Sequence, residues 1–415
     1  MSSTASLGTP ASGHGPLHAP PGVPLKDDAA VIGLVGLAHA SSHFAHLLLP
    51  PLFPIFAREF GLSFSQLGFL MTVFFVISGS GQAASGFLVD RVGARPVLFA
   101  SFVCFICACA AGYVAQGYGG LLLVAVFAGL GNAPFHPVDF SILNQRVSTR
   151  RLGYAFSAHG LSGNLGWALT PVFLLFFTAW QGWRSGYLAA GLLYAGILAL
   201  LVAKRAHLRT EVVRHHAGAA GGGTSFLRLP VVWWCFAFFL LSTMTLAVVQ
   251  NFASPIMQAM HGVSFESATT MITAYMLCGA LGMLVGGFVA ARLPTASDRV
   301  VAWSMGAGAL LIVLAGTGWL GGFGSMAMLA ATGFAVGIGG PSRDMMIKRA
   351  TPKGATGRVY GTVYSGLDTG FAVAPLIYGF FMDRAMYTAT LLLAALFLAL
   401  SVAAAVGVGR RTAAA

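Results

Sequence analysis

Twelve apolar stretches fill nearly all of this 415-residue chain, each close to the roughly 20 residues a helix needs to cross bilayer hydrocarbon. They run over about 31–57, 65–89, 96–115, 119–145, 152–178, 184–203, 229–257, 266–290, 299–319, 321–347, 356–381 and 386–409. In hydrocarbon every backbone N–H and C=O must bond within a helix or a closed barrel. The alternating pattern of a barrel is absent, so twelve membrane helices are predicted. Composition agrees. Charged residues make up 8% of the chain, against about 25% in a soluble domain, so lipid and not water must solvate its surface. The 54 glycines suit close helix packing.

The net charge of +12 raises nucleic acid as a partner, but the distribution of that charge excludes it. With the N-terminus in the cytoplasm, 19 of the 23 Lys and Arg fall in the inside tails and loops, and three (Arg58, Arg184, Arg384) fall outside; Arg343 lies within the tenth segment. Basic residues concentrate on the cytoplasmic side of membrane proteins. Both termini are therefore expected inside, in a bacterial inner membrane. Residues 1–30 are rich in Pro, Gly, Ser and His. They read as a disordered tail, with His14 and His18 solvated, and not as a signal peptide. Residues 410–415 form a second tail. Cys104, Cys107 and Cys109 share one apolar run and read as small packing residues.

The long connection at 204–228 contains His207, His215, His216 and a Gly-rich run, and reads as a flexible, solvated linker. It separates two related halves. Gly153, Gly166, Ala168 and Pro171 recur as Gly357, Gly370, Ala372 and Pro375 at one offset of 204, with Asn164 meeting Asp368. Gly86-Phe87-Leu88-Val89-Asp90-Arg91 recurs as Gly287 to Arg292. Two six-helix bundles, at 31–203 and 229–409, are predicted. Six helices per half is an even number, so the repeats are parallel and related by an axis along the membrane normal. That symmetry belongs to transporters that rock two halves about a central site.

Gly86, Asp90, Arg91, Gly93 and Arg95 follow the second segment. This run resembles the loop signature of the major facilitator superfamily, and the resemblance covers residues 31–409. It implies the twelve-helix fold of that family, with helices 1, 4, 7 and 10 lining the cavity. It also implies a latch in which Asp90 braces the halves in the outward-facing state. A carboxylate at a helix end suits that task, because it can accept from a neighbouring helix N-terminus and pair with arginine. The second copy has Ala291 in place of the acid. Leu49-Pro50-Pro51-Leu52-Phe53-Pro54, Phe135-His136-Pro137 and Gly163-Asn164-Leu165-Gly166 further resemble the fosmidomycin-resistance group of proton-coupled exporters. One departure stands out. Classical drug antiporters carry an arginine in helix 4 where this chain has Ala125, in Leu121-x-x-x-Ala125-x-x-Ala128-Gly129. Proton coupling here would need other residues.

Ionisable residues within the membrane are costly and mark functional sites. His39, His43 and His46, at i, i+4 and i+7, share one face of the first helix. The stripe suits proton relay or anion binding, a metal, or a hydrogen-bonded helix contact. On the fourth helix His136, Asp139 and Arg146 share a face, and Arg146 is available to neutralise Asp139. On the tenth, Arg343 and Asp344 are adjacent, hence about 100° apart and expected to find different partners. Asp368 lies about 12 residues into the eleventh helix, near the midplane. With no basic neighbour in sequence it is the leading proton carrier, ahead of Asp139 and His136, since burial favours the neutral form of a carboxyl. Asn164, Gln250 and Asn251 are neutral cavity candidates.

No nucleophile elbow, metalloprotease helix or phosphate loop is present, and there are only three Glu. An enzyme is excluded, and no cofactor or metal site is assigned. The expected function is secondary active transport, as a monomer: proton-coupled efflux of a small polar or amphiphilic compound. Import of an organic anion or a metal ion is the alternative, and a non-transporting membrane sensor a remote one. The topology is directly testable. In a cysteine-free background, a cysteine near Gly182 should react with an impermeant maleimide from outside, and one at Gly221 should be protected; the opposite pattern contradicts the orientation.

Overall fold

The computed structural model describes residues 24–211, 228–293, 296–350 and 356–413, and every regular element among them is helical. In chain order these are α1 (Leu25–His46), a 3-10 turn (Pro50–Leu52), α2 (Phe53–Phe60), α3 (Phe64–Val92), α4 (Ala94–Val114), α5 (Tyr118–Asn132), α6 (Phe135–Arg146), α7 (Leu152–Gln181) and α8 (Trp183–Ala203). The second half contains α9 (Pro230–Asn251), α10 (Ala253–His261), α11 (Phe265–Arg292), α12 (Ser297–Gly316), α13 (Gly321–Ala350), α14 (Thr356–Met382) and α15 (Tyr387–Ala413). Taken with their breaks, these helices form the twelve expected segments. Segments 1, 4 and 7 are each divided in two: α1/α2, α5/α6 and α9/α10.

Proline accounts for the divisions, because it lacks the N–H that the helix ladder needs. Pro50 and Pro51 end α1, Pro134 lies between α5 and α6, and Pro255 follows the break at Phe252. A freed carbonyl must find another donor. Leu48 O finds the hydroxyl of Tyr187 on α8, at 2.8 Å.

Three expected boundaries are corrected. Helix α1 begins at Leu25, so 25–30 is not tail; residues 1–23, with His14 and His18, lie outside the described residues. Asp27 and Asp28 stand in the first turn of α1, where carboxylates oppose the helix dipole. The fully buried Asp28 accepts from Ser148 N and Oγ and from Arg151, tying α1 to the α6–α7 turn. The linker is docked over its described part. Leu208 is buried, Thr210 Oγ1 accepts from Ala94 N at the start of α4, and Glu211 N donates to Gln145. His215 and His216 lie outside the described residues. Arg410 and Arg411 belong to the last turn of α15 and not to a tail.

The halves meet along two antiparallel seams, α3 against α14 and α7 against α11. The internal repeat is visible in their bonding. Thr72 Oγ1 donates to Ala372 O at 2.7 Å, and Thr273 Oγ1 donates to Ala168 O at 2.8 Å. These are the same bond made twice, since Thr72 and Thr273 are repeat mates, as are Ala168 and Ala372. Small residues permit the approach: a Cβ on Gly68 would meet Pro375, and one on Gly379 would meet Ser65.

The α3–α14 seam runs from the face opposite the termini to the bilayer middle. It passes through Phe64–Asp383, Thr72–Ala372, a stacked Phe75–Phe371 pair at 4.4 Å, and Gly79–Asp368. At the far face Asp383 takes the N–H groups of Phe64 and Ser65 (2.6 and 3.1 Å), the open first turn of α3. Phe252 packs there on both Phe53 and Phe64. At the face carrying the termini, Asp90 and Arg91 are exposed and Arg95 is half-buried. Among the described residues these three form no ion pair. Gly93 turns the chain from α3 into α4 at φ 85°, a conformation that glycine adopts without strain. The far face is thus joined by hydrogen bonds and ring contacts between the halves.

Asp383→Ala removes a helix-capping carboxylate that joins the two halves. Loss of a cap of this kind shifts an equilibrium about fivefold. Spin labels at positions 58 and 258 should report a larger far-open population; an unchanged distance distribution contradicts the latch.

Candidate functional site

The side chains with the most chemistry converge where α1, α6 and α7 meet. The break at Pro134 starts a new helix at Phe135, and α6 then carries His136 and Asp139 to the first-half interior. Asp139 is fully buried, with His39 from α1 and His159 from α7 at 3% and 7% exposure. The Oδ2 atom of Asp139 lies 3.0 Å from His39 Nδ1 and 3.0 Å from His159 Nε2. An ionised carboxylate can only accept, so both nitrogens then carry hydrogens. The two imidazoles stack at 3.5 Å between centroids. Asp139 Oδ1 is buried with no hydrogen-bond partner.

The predicted stripe on α1 holds together as one column. His43 lies 4.5 Å from His39 and 5.1 Å from His46, and against Trp167 at 4.2 Å. The partners of His46 fit one tautomer. Its Nδ1 accepts from the indole N–H of Trp167 at 3.2 Å, so Nε2 carries the hydrogen and donates to Asn132 Oδ1 at 3.0 Å. Asn132 in turn donates to Ser78 Oγ at 2.7 Å. His136 Nδ1 lies 2.8 Å from Gln82 Oε1. His43 Nδ1 is buried and unpartnered.

Glycine makes room for this column. A Cβ on Gly163 of α7 would lie 2.7 Å from His43 Cε1 and 3.1 Å from His39 Nε2. A Cβ on Gly166 would strike the backbone of Ala40. The Gly163-x-x-Gly166 spacing therefore seats α7 on α1.

Two expectations about charge are overturned. Arg146 does not neutralise Asp139: it is exposed on the last turn of α6, while Asp139 faces inward to two histidines. Arg343 and Asp344 do not find separate partners. Arg343 Nε donates to Asp344 Oδ1 at 2.9 Å, because a long guanidinium stem can curl back across the angle between neighbours. Arg343 also lies over Phe239 at 5.1 Å.

The remaining candidates lie apart from the column. Asp368 is on α14 at the seam, where a Cβ on Gly79 would approach its Cβ to 3.1 Å. Among the described residues it has no hydrogen-bond or ion-pair partner. Its repeat mate Asn164 sits at the other seam and donates to Gly160 O and to Met283 Sδ. Gln250 and Asn251 are buried beside the break in segment 7, with both polar atoms of Asn251 and the Nε2 of Gln250 unpartnered. Sequence reasoning passed over His159, Gln82, Ser78, Asn132 and Trp167. A signal existed for His159, whose repeat mate is the apolar Val363.

The sequence matches the Major Facilitator Superfamily over residues 35–330 and again over 244–414. The chain belongs to the major facilitator superfamily. This major facilitator protein is 24% identical over 363 residues to a probable nitrate/nitrite transporter, NarK2, of Mycobacterium tuberculosis, covering 86% of this chain and 89% of that one. It is 24% identical over 274 residues to the fosmidomycin resistance protein of Escherichia coli, covering 63% and 65%. A bacterial homolog of the human lysosomal transporter Spinster, solved inward-facing and unoccupied, superposes with a TM-score of 0.74 at 16% identity, over 93% of this chain and 98% of that one. This major facilitator protein is an integral membrane transporter and not an enzyme.

Gly163→Ala would overpack the histidine column and should destabilise by about 1–3 kcal/mol, lowering the melting temperature in detergent. Gly160→Ala, which meets nothing within 4 Å, is the control and should melt like the parent. Equal melting of both variants contradicts the packing role.

Proposed function

We propose that this transporter is a proton-coupled secondary carrier that exports a small polar or amphiphilic compound by alternating access, as a monomer. The observation that carries the reading is the position of Asp368, a carboxyl without a hydrogen-bond partner among the described residues, at a seam between the two halves. Alternating access rocks such halves about a central site, so groups at the seam change surroundings with each turn of the cycle. A carboxyl there takes a proton in one arrangement and gives it up in the other. Asn164 at the matching position supports this, because it fills its seam with a neutral amide; packing does not require an acid. Similarity to the fosmidomycin resistance protein supports export. The nitrate/nitrite relative, which matches over more of the chain, favours a second reading, uptake of a small anion with the imidazole column as its contact.

In this proposal the face carrying the termini is cytoplasmic, and the arrangement described is the inward-open state. Asp90 then engages only when that face closes, which fits its freedom from ion pairs here. Asp383 does the reverse task at the outer face.

The test uses proteoliposomes with an imposed pH gradient, screened with phosphonates, organic acids, dyes and divalent metals. Asp368→Asn keeps the shape of the side chain but cannot ionise. Downhill exchange of the cargo so found should persist, while pH-driven accumulation should fall at least about tenfold, the factor set by one unit of pH. Accumulation at the parent level rejects Asp368 as the carrier.

A further inference from the structure

We infer that His39, Asp139 and His159 form a binding site for one divalent first-row transition-metal ion, with Zn(II) and Co(II) its natural probes. The three donors come from three helices, are all buried, and offer one ligand atom each within 4.8 Å of one another. A tetrahedral ion with bonds of about 2.1 Å holds its ligand atoms about 3.4 Å apart. Two of the three edges here are 3.0 Å and the third is within 4.8 Å, so the two close edges need open by only a few tenths of an ångström to admit an ion. Asp139 Oδ1 is buried, unpartnered and on the same carboxyl, and supplies a fourth contact.

The donor chemistry selects the ion. Two imidazoles and one carboxylate suit zinc, cobalt, nickel or copper, whereas calcium and magnesium prefer oxygen alone. Charge points the same way. Asp139 is fully buried and bonds to His39 and His159, and among the described residues no lysine or arginine pairs with it. A divalent cation between the carboxylate and the two imidazoles would supply the positive charge that a buried carboxylate needs.

The surroundings are those of a metal site as well. When an ion takes His39 Nδ1, the ring proton moves to Nε2. That atom borders the notch beside Gly163, and so does His43 Nδ1, which is buried and has no partner. A ligating histidine usually donates its second N–H to an outer acceptor, and the open His43 Nδ1 is the atom that could move into that role. His136, whose Nδ1 is engaged by Gln82, does not belong to the cluster that His39, Asp139 and His159 form.

The experiment titrates Co(II) into the purified, chelator-treated full chain and reads its ligand-field absorption, with calorimetry for stoichiometry. One ion per chain is expected, displaced by Zn(II) and not by Mg(II). A background variant with His14, His18, His207, His215, His216 and His261 replaced by alanine should bind equally. In that background His159→Gln and Asp139→Asn, each checked for a monodisperse elution profile, should weaken binding at least about 100-fold. No binding by the parent chain, loss of binding in the background variant, or undiminished binding in monodisperse His159→Gln overturns the site. The readout uses neither gradient nor cargo, so it stands or falls separately from proton coupling.

Discussion

A carboxylate sealed among apolar helices is the constraint on which the first half depends. Asp139 is fully buried and among the described residues no arginine pairs with it, so its oxygen must be met by donors brought from elsewhere. His39 and His159 meet it, and each imposes a condition on its own helix. Helix α1 must come close enough to α6 to deliver an imidazole at 3.0 Å. Helix α7 must lie on α1 so closely that positions 163 and 166 can carry no side chain. The proline break in segment 4 belongs to the same set of conditions, since α6 starts anew within two residues of His136. Proline, glycine and histidine in these helices thus answer one electrostatic demand.

The column then extends by the same logic. Each imidazole has two nitrogens, and a buried one needs a partner for both or leaves one open. His46 is closed, between Trp167 and Asn132, and acts as a fixed anchor. His43 is open at Nδ1, and Asp139 is open at Oδ1. Buried, unsatisfied polar atoms in a membrane helix carry a cost that packing alone does not repay. The open atoms of His43 and Asp139 are thus free to meet a ligand beside the His39–Asp139–His159 cluster, whereas His46 is not. The unpartnered amides of Gln250 and Asn251 across the second half obey the same argument.

The fold was legible in the chain because lipid allows so few solutions. An apolar run of some 20 residues has one backbone answer, and the twelve runs became twelve segments with boundaries moved by only a few residues. What escaped reading was tertiary. Asp139 and Arg146 share a helix face in sequence, yet one turns to the protein interior and the other to its surface; spacing along a helix does not say which helices stand opposite. His159 was passed over for the same reason, since its partners lie 20 and 120 positions away and only the comparison with Val363 in the second half marks it. The α1 stripe was legible because a helix brings i, i+4 and i+7 together without outside help. Arg343 and Asp344 misled through the opposite assumption, that adjacent residues cannot meet.

The internal repeat separates what the scaffold requires from what it merely carries. The seam bonds of Thr72 and Thr273 are duplicated to within 0.1 Å, so the scaffold needs them in both halves. Val363 stands where the first half has His159, and Asn164 where the second has Asp368. A symmetric frame tolerates either residue of each pair, and polarity at these positions is then free to specialise. The first half has accumulated imidazoles around one carboxyl, deep within a bundle. The second has placed its acid at the surface where the bundles meet. A group inside one rigid half keeps its neighbours throughout a rocking motion, which suits a site that must hold a ligand steadily. A group at the seam exchanges its neighbours with every cycle, which suits a site that must bind and release. The separate roles proposed for Asp139 and Asp368 follow from where the two-fold repeat puts them.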